Sequence, residues 1–315
     1  GDFDNSGVYE HRNNLTTFNG GTQQILGSAA IDFYDLTVNS LTKLTLNRDA
    51  NVDHDLILSR GTLECDVNSI YVQGDVTNNA TYTDNNAGLV LNGTTQQFLY
   101  GTGTWGQLEL DNSQGARVED DITLQKDLIL TNGIFDINDQ LLTLQENSNI
   151  LGAPFDENKM IASDGVVSNV GISKIFSDTD DGTTFTFPLG TSGKYTPAVL
   201  TLTQIGTTGS FRINNINSNH PSAIHPTDVL DYYWEVESSG ITGFTGSLEL
   251  NYLEEDVQVT GTNTEADYIA ASLLLPGTNW TKTDAVDETA NTITFSYPAV
   301  NSLTGEYTAG VDTAL

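Results

Sequence analysis

Sulfur, positive charge and long apolar runs are all scarce in this sequence. A single cysteine in 315 residues leaves no intramolecular disulfide framework. Cys65 has no histidine close to it in the chain, so it reads as a small buried hydrophobe rather than a nucleophile or redox thiol. Lys and Arg total 11 against 42 Asp and Glu, giving a net charge of −31. Nucleic acid and anionic lipid are recognised by clustered Lys and Arg, so neither is an expected partner. No run of about 18 apolar residues occurs, which excludes membrane insertion through a spanning helix. No basic-then-apolar leader opens the chain, and its start at Gly1 suggests a mature or excised piece of something longer.

What the chain does have is repetition. Asn19-Gly-Gly-Thr-Gln-Gln-Ile-Leu returns as Asn92-Gly-Thr-Thr-Gln-Gln-Phe-Leu, and Asp55-Leu-Ile-Leu-Ser-Arg-Gly returns as Asp127-Leu-Ile-Leu-Thr-Asn-Gly, where 127 minus 55 is 72. From Leu36 to Ile150 apolar residues come in pairs two apart, among them Leu36/Val38, Leu44/Leu46, Leu56/Leu58, Ile70/Val72, Leu108/Leu110, Ile122/Leu124, Phe135/Ile137 and Leu142/Leu144. Period two is the strand signal. The runs are short and end in Asn, Asp or Gly, residues that tolerate the left-handed backbone of tight corners. Short strands, tight corners and repetition together predict a right-handed parallel β-helix, a β-solenoid, over residues 1–158. An antiparallel sandwich of hairpins is the second reading, ranked lower because sandwiches use longer strands. A solenoid also needs its open ends covered.

After Pro154 prolines appear, strands lengthen and aromatic residues increase. Apolar alternation places strands over 184–189, 198–203, 209–214, 232–237, 247–252, 268–275, 292–297 and 306–309. Residues 159–315 are therefore expected to form an antiparallel β-sandwich, Ig-like or jelly-roll-like, with Trp234, Tyr252 and Phe295 in its core.

Four segments carry a family resemblance: Phe185-Thr-Phe-Pro-Leu-Gly-Thr-Ser-Gly-Lys-Tyr-Thr-Pro-Ala, His220-Pro-Ser-Ala, Tyr232-Tyr-Trp-Glu-Val and Gly305-Glu-Tyr-Thr-Ala-Gly. With the Asn-Gly-Gly-Thr-Gln-Gln segment of the first half, the chain resembles a repeat module of giant Bacteroidota cell-surface proteins exported by the type IX secretion system, some of them gliding or attachment adhesins. The sequence departs from that pattern at Tyr232, where a basic residue is common before the Tyr-Trp pair. The resemblance implies an extracellular, cell-surface location and neighbouring copies of the same module as partners, in tandem or head to tail, with surface polysaccharide as a further partner. The opening residues resemble the start of such a module and Gly305 to Leu315 its end.

Chemistry-bearing motifs are few. Asp178, Asp180 and Asp181 around Gly182 offer hard oxygen ligands to calcium, the one cofactor the sequence suggests, although the spacing is not that of an EF-hand. Thr313, in Asp312-Thr-Ala, matches the short pattern for O-glycosylation in that phylum. The Gln23-Gln24 and Gln96-Gln97 pairs are expected to form amide ladders between coils. Glu254-Glu255-Asp256, and Asp284 with Asp287-Glu288, read as solvated loop charges. His220 and His225 read as part of a proline-set turn, and Trp280 as a strand anchor rather than a sugar platform. Parallel β-helices also host pectin-degrading enzymes, but Glu119-Asp-Asp121 is the nearest echo of their motifs and lacks the preceding Gly, so no catalytic residue is assigned. The expected function is that of a non-enzymatic structural repeat; a filament subunit that donates its opening segment as a strand, and a carbohydrate-binding or polysaccharide-degrading β-helix protein, are the alternatives.

Overall fold

Alternation over only three or four positions makes strands too short to hold a flat sheet, so the chain must turn after each one. A computed structural model describes residues 1–84, 87–284 and 286–315. Strand accounts for 51% of it, and no α-helix occurs among the described residues. None of their helices is long and apolar enough to cross a membrane. The chain divides into two compact units, Gly1–Met160 and Ile161–Leu315.

The first unit is a β-solenoid of about 7 turns. Each coil lays down three faces in a fixed order, and strands on a face pair in parallel with those of the coils on either side. On face A the inward residues Phe33, Val52, Val72, Leu91, Leu110 and Leu130 are successive register partners, about 20 residues apart. Face B stacks Leu36, Leu56, Val76, Leu99 and Val118 in the same way. Face C stacks Leu44, Leu63 and Tyr82, and further on Trp105, Leu124 and Leu144. All of these side chains are buried. Burying each aliphatic residue contributes about 1.5–3 kcal/mol, which is what holds such short strands in place. Cys65 is buried among them, and desolvation pushes its thiol well above the ordinary value, so it is inert as a nucleophile.

The 72-residue echo is not the coil. From Leu56 on face B, three coils lead through Val76 and Leu99 to Val118, and two further faces lead to Leu128 on face A. Repeated segments therefore land on different faces, and what they share is corner chemistry. Gly61 and Gly133, equivalent in the echo, have φ of +83° and +93°. A Cβ there would sit 2.6 Å from the Ser40 carbonyl oxygen and 1.9 Å from that of Asn112. Only glycine permits both the left-handed turn and that approach.

The same rotation overturns the expected amide ladder. Gln23 pairs with Leu44 on face C, whereas Gln97 pairs with Ala116 on face B, so the two amides never meet. Each serves the backbone instead. Gln97 Nε2 donates to the carbonyls of Val72 (2.9 Å) and Gly74 (2.6 Å), and its Oε1 accepts from Gly93 N (2.9 Å).

At the start of the solenoid the chain covers its own open end. Phe3–Asp4 pairs in parallel with Ile25 and Leu26. The Phe3 ring meets Tyr9 at 5.1 Å and Phe33 at 5.6 Å, both edge-on, and Tyr9 also meets Phe33 at 5.8 Å. Edge-to-face rings pack well over the end of an aliphatic column.

In the second unit two antiparallel sheets form the sandwich. One has the order Gly171–Phe176, Gly209–Ile216, Tyr233–Ser239, Gly305–Val311, Tyr268–Leu274, Thr281–Thr283; the other has Thr183–Phe187, Ala198–Gln204, Phe244–Asn251, Thr292–Val300, Val286–Asp287. Aromatic pairs drawn from opposite sheets join them: Phe176 with Phe185 at 5.6 Å, Phe211 with Phe244 at 5.3 Å, and Tyr307 with Phe295 at 4.9 Å. Trp234, Tyr252 and Phe295 are buried as expected. The strand Gly171–Phe176 lies outside the expected ranges, because Lys174 occupies one of its inward positions and hides the apolar alternation.

Candidate functional site

At the corners of a solenoid the backbone leaves the ladder, and its amides need another acceptor. Aspartates supply it. Asp35, Asp55 and Asp75 each stand just before the first apolar residue of face B. Asp35 Oδ1 accepts from the Asp55 amide (3.2 Å), Asp55 Oδ1 from the Asp75 amide (2.9 Å), and Asp75 Oδ1 from Phe98 N (2.8 Å). The same device recurs from Asp49 to Ser69 N (2.8 Å), Asp121 to Leu141 N (2.8 Å) and Asp127 to Asn149 N (2.7 Å). In all of these the donor lies one coil further along the chain, while Asp120 reverses the direction by accepting from Gly101 N (2.7 Å). A charged acceptor makes such bonds stronger than neutral ones. Part of the chain's large negative charge is thus structural.

On the first coils this ladder carries a stack of rings. His11, in the opening segment, lies 5.7 Å from Tyr34, and Tyr34 lies 4.9 Å from His54 with the two planes 1° apart. His11 Nε2 is 3.1 Å from Asp53 Oδ2, which fastens the opening segment to the coils. His54 Nδ1 is 2.7 Å from Asp35 Oδ1 and 3.5 Å from Asp55 Oδ2. The hydrogen bond to Asp35 raises the His54 pKa above its ordinary value; the charges of Asp55, Asp35 and Asp75 add to this, and desolvation opposes it. Asp35, His54 and Asp55 place one ligand atom each within 4.8 Å of one another. An imidazole nitrogen with two carboxylate oxygens suits a zinc- or copper-like cation better than calcium, which takes oxygen ligands in larger number. The ladder amides orient both carboxylates from behind.

The carboxylates named for calcium are used otherwise. Asp180 Oδ2 accepts from Ser177 N (2.7 Å) and Asp181 Oδ1 from Ile205 N (2.8 Å), while Asp178 Oδ1 accepts a long bond from Ser177 Oγ (3.4 Å). Asp178, Asp180 and Asp181 form no side-chain cluster like that at His54. They order the turn before Thr183–Phe187. Thr313 is exposed in the short 3-10 turn Asp312–Ala314.

The sandwich loops depart from the picture of plain solvated charge. Asp256 is fully buried and paired with Lys194. Desolvation raises the Glu265 pKa, the Tyr252 hydroxyl opposes it, and the charges of Glu254 and Glu288 add to the rise. Glu265 in turn accepts from the Tyr252 hydroxyl (2.5 Å). Glu265, Asp287 and Glu288 line a cavity of about 440 Å³. Sequence spacing gave no sign that Glu265 joins this group. His220 is buried, with Nδ1 accepting from Ser222 N (3.0 Å) and Nε2 2.9 Å from Glu306, and its ring meets Tyr233 and the half-buried Trp280, each at 4.7 Å. His220 is thus held within the sandwich by Ser222, Glu306 and two rings, and Trp280 is packed rather than displayed.

Comparison of the chain with protein-family models, curated proteins and solved structures gives no match. The functional reading rests on residues and geometry.

Proposed function

We propose that this chain is a non-enzymatic structural module of a secreted, surface-exposed adhesin or appendage, one that extends from the cell and supports attachment or gliding. Neighbouring copies of the module are its principal partners, and export by a type IX route follows from the sequence resemblance. The observation that carries the reading is the engagement of the solenoid's corner carboxylates by backbone amides of the adjoining coil. Asp120 and Asp121, in the segment nearest to a polysaccharide-cleaving motif, each accept a backbone amide from an adjoining coil, which supports a structural use of these carboxylates. Coils bonded at faces and corners alike resist separation along the stack. A low density of mostly negative charge and a lone buried thiol agree with an oxidising, salt-rich exterior.

The filament alternative asks the opening segment to leave its own chain and pair with a neighbour. That segment is engaged at home, through Phe3–Asp4 on Ile25 and Leu26, the Tyr9 ring on Phe33, and His11 on Asp53. The test uses native cell material and an antibody raised to the chain. Labelling of intact cells, with a band far above 34.0 kDa after boiling in denaturant, is the expected result. A soluble intracellular band would reject the surface role, and a surface band at 34.0 kDa would favour the non-covalent filament.

A further inference from the structure

Lys194 and Asp256 meet inside the sandwich unit from opposite sides of a 62-residue stretch of chain. Lys194 sits on the return arm Lys194–Tyr195 of a hairpin whose first arm is Leu189–Thr191. Asp256 closes the 3-10 turn Glu254–Asp256, where its own amide bonds the Leu253 carbonyl (2.9 Å) and its carbonyl accepts from Asp231 N (2.8 Å). The backbone holding the carboxyl group is therefore fixed on both sides.

The environment of the pair is unusual for a salt bridge. The Asp256 side chain is 1% exposed and that of Lys194 is 20% exposed. Lys194 Nζ bonds Asp256 Oδ1, and the ring of the fully buried Tyr232 lies 5.9 Å from the same nitrogen. Trp234 packs behind Tyr232 at 5.1 Å. Asp256 Oδ2 is buried with no hydrogen-bond partner. A buried carboxylate with one orphaned oxygen is a poor end state, because desolvation penalises the charge and the oxygen gains nothing in return. Desolvation raises the Asp256 pKa, against the opposing pull of Lys194, and so favours the protonated acid. A second carboxylate is present, with Glu255 Oε1 3.7 Å from Lys194 Nζ, and Asn217 Oδ1 at 3.0 Å orients the amine from another side.

We propose that Lys194 and Asp256 condense into an intramolecular amide cross-link, with Glu255 relaying the proton. Lys194 Nζ first passes one proton to the Asp256 carboxyl group across their hydrogen bond, then attacks Cγ and forms the C–N bond. One amine proton passes through Glu255 to the departing hydroxyl, the C–O bond breaks, and one water leaves. No oxidation state changes and no co-reactant is needed. The ammonium and the carboxylate disappear together, so the net charge of the chain is unaltered. The product carries one oxygen on Cγ instead of two, and the oxygen without a partner is the one the reaction can discard. The cross-link ties the hairpin at Leu189–Tyr195 to the turn at Glu254–Asp256. It is a property of the sandwich alone and does not depend on the surface role.

Intact-mass spectrometry of the purified, folded full chain tests this directly. The expected mass is about 18 Da below that of the sequence, one water lost. Proteolysis should then yield a branched peptide joining the segments that contain Lys194 and Asp256. A folded chain at full sequence mass, fresh and after long incubation, overturns the proposal. So does a water loss that maps to an aspartate elsewhere. Lys194→Arg keeps the charge without the nucleophile and should restore the full mass. Asp256→Asn should still cross-link, now with loss of about 17 Da as ammonia. Glu255→Gln should form the same product more slowly, and an unchanged rate would remove Glu255 from the relay. On a denaturing gel the wild-type chain should migrate ahead of Lys194→Arg.

Discussion

The two units use the same secondary structure and organise it over different ranges of sequence. In the solenoid a corner carboxylate reaches a residue about 20 positions away, as Asp55 does to Asp75 and Asp121 to Leu141. In the sandwich the tying bonds are far longer in sequence: Thr308 Oγ1 donates to the Tyr232 carbonyl across 76 residues, and His220 meets Glu306 across 86. Near-neighbour coupling makes stability a sum of adjacent terms, so damage stays local. Long-range closure makes the sandwich stand or fall as one body, and its contacts are slow to form. Similar strands can thus carry opposite responses to the same kind of injury.

The sharpest way to break this contrast is at the aromatic centre of the sandwich. Trp234→Ala should cost about 3–5 kcal/mol and lower amide protection throughout residues 161–315 together, leaving amide protection in the solenoid intact. Hydrogen exchange read by mass spectrometry separates the two outcomes, and loss of protection in both units would refute the claimed difference.

A smaller effect, about 1–3 kcal/mol, is expected for Gly133→Ala, where the new Cβ would meet the Asn112 carbonyl oxygen at 1.9 Å. Protection should fall in the coils next to Gly133 and persist around Leu36 and Leu56. Global melting after this change would mean that the solenoid is as cooperative as the sandwich. Asp55→Ala should cost about 1–2 kcal/mol and speed exchange of the Asp75 amide specifically, because that donor loses a charged acceptor.

The smallest effect is a pH dependence confined to the solenoid. His54 has a raised folded pKa, so its contribution is fully present below the ordinary imidazole value of 6.5 and is lost as pH rises through the raised value. Glu64 is lowered, chiefly by hydrogen bonds from Lys43 and Thr45, so its contribution is present above 4.5 and is lost as pH falls through the lowered value. Both side chains are well exposed, and solvent screening keeps the effects small. His54→Asn should flatten the alkaline side of the solenoid's melting profile and leave the acid side and the sandwich profile unchanged.

Much of this architecture was legible because burial follows period-two alternation. Leu56/Leu58, Ile70/Val72, Leu128/Leu130 and Leu142/Leu144 all point inward. The sandwich strands lie close to their expected ranges, from Ala198–Gln204 to Gly305–Val311. The 72-residue echo misled about the amides because similarity of corner residues carries no information about which face they occupy. The corner ladder could have been found: Asp35, Asp55 and Asp75 recur every 20 residues, each before an apolar residue that opens a strand. The burial of Asp256 could not, since Lys194 is 62 residues away and only the closed sandwich brings the two together.

The ladder also has a head and a tail. Asp35, Asp55 and Asp75 each present an acceptor toward chain that is made later, and Asp2 does the same for Gln24 N at 3.0 Å. During synthesis a coil that carries one of these aspartates therefore displays a waiting receptor for the next length of polypeptide to emerge. A solenoid of this kind can wind on coil by coil from its first turn, with no need for the far end of the stack to arrive before the near end is bonded.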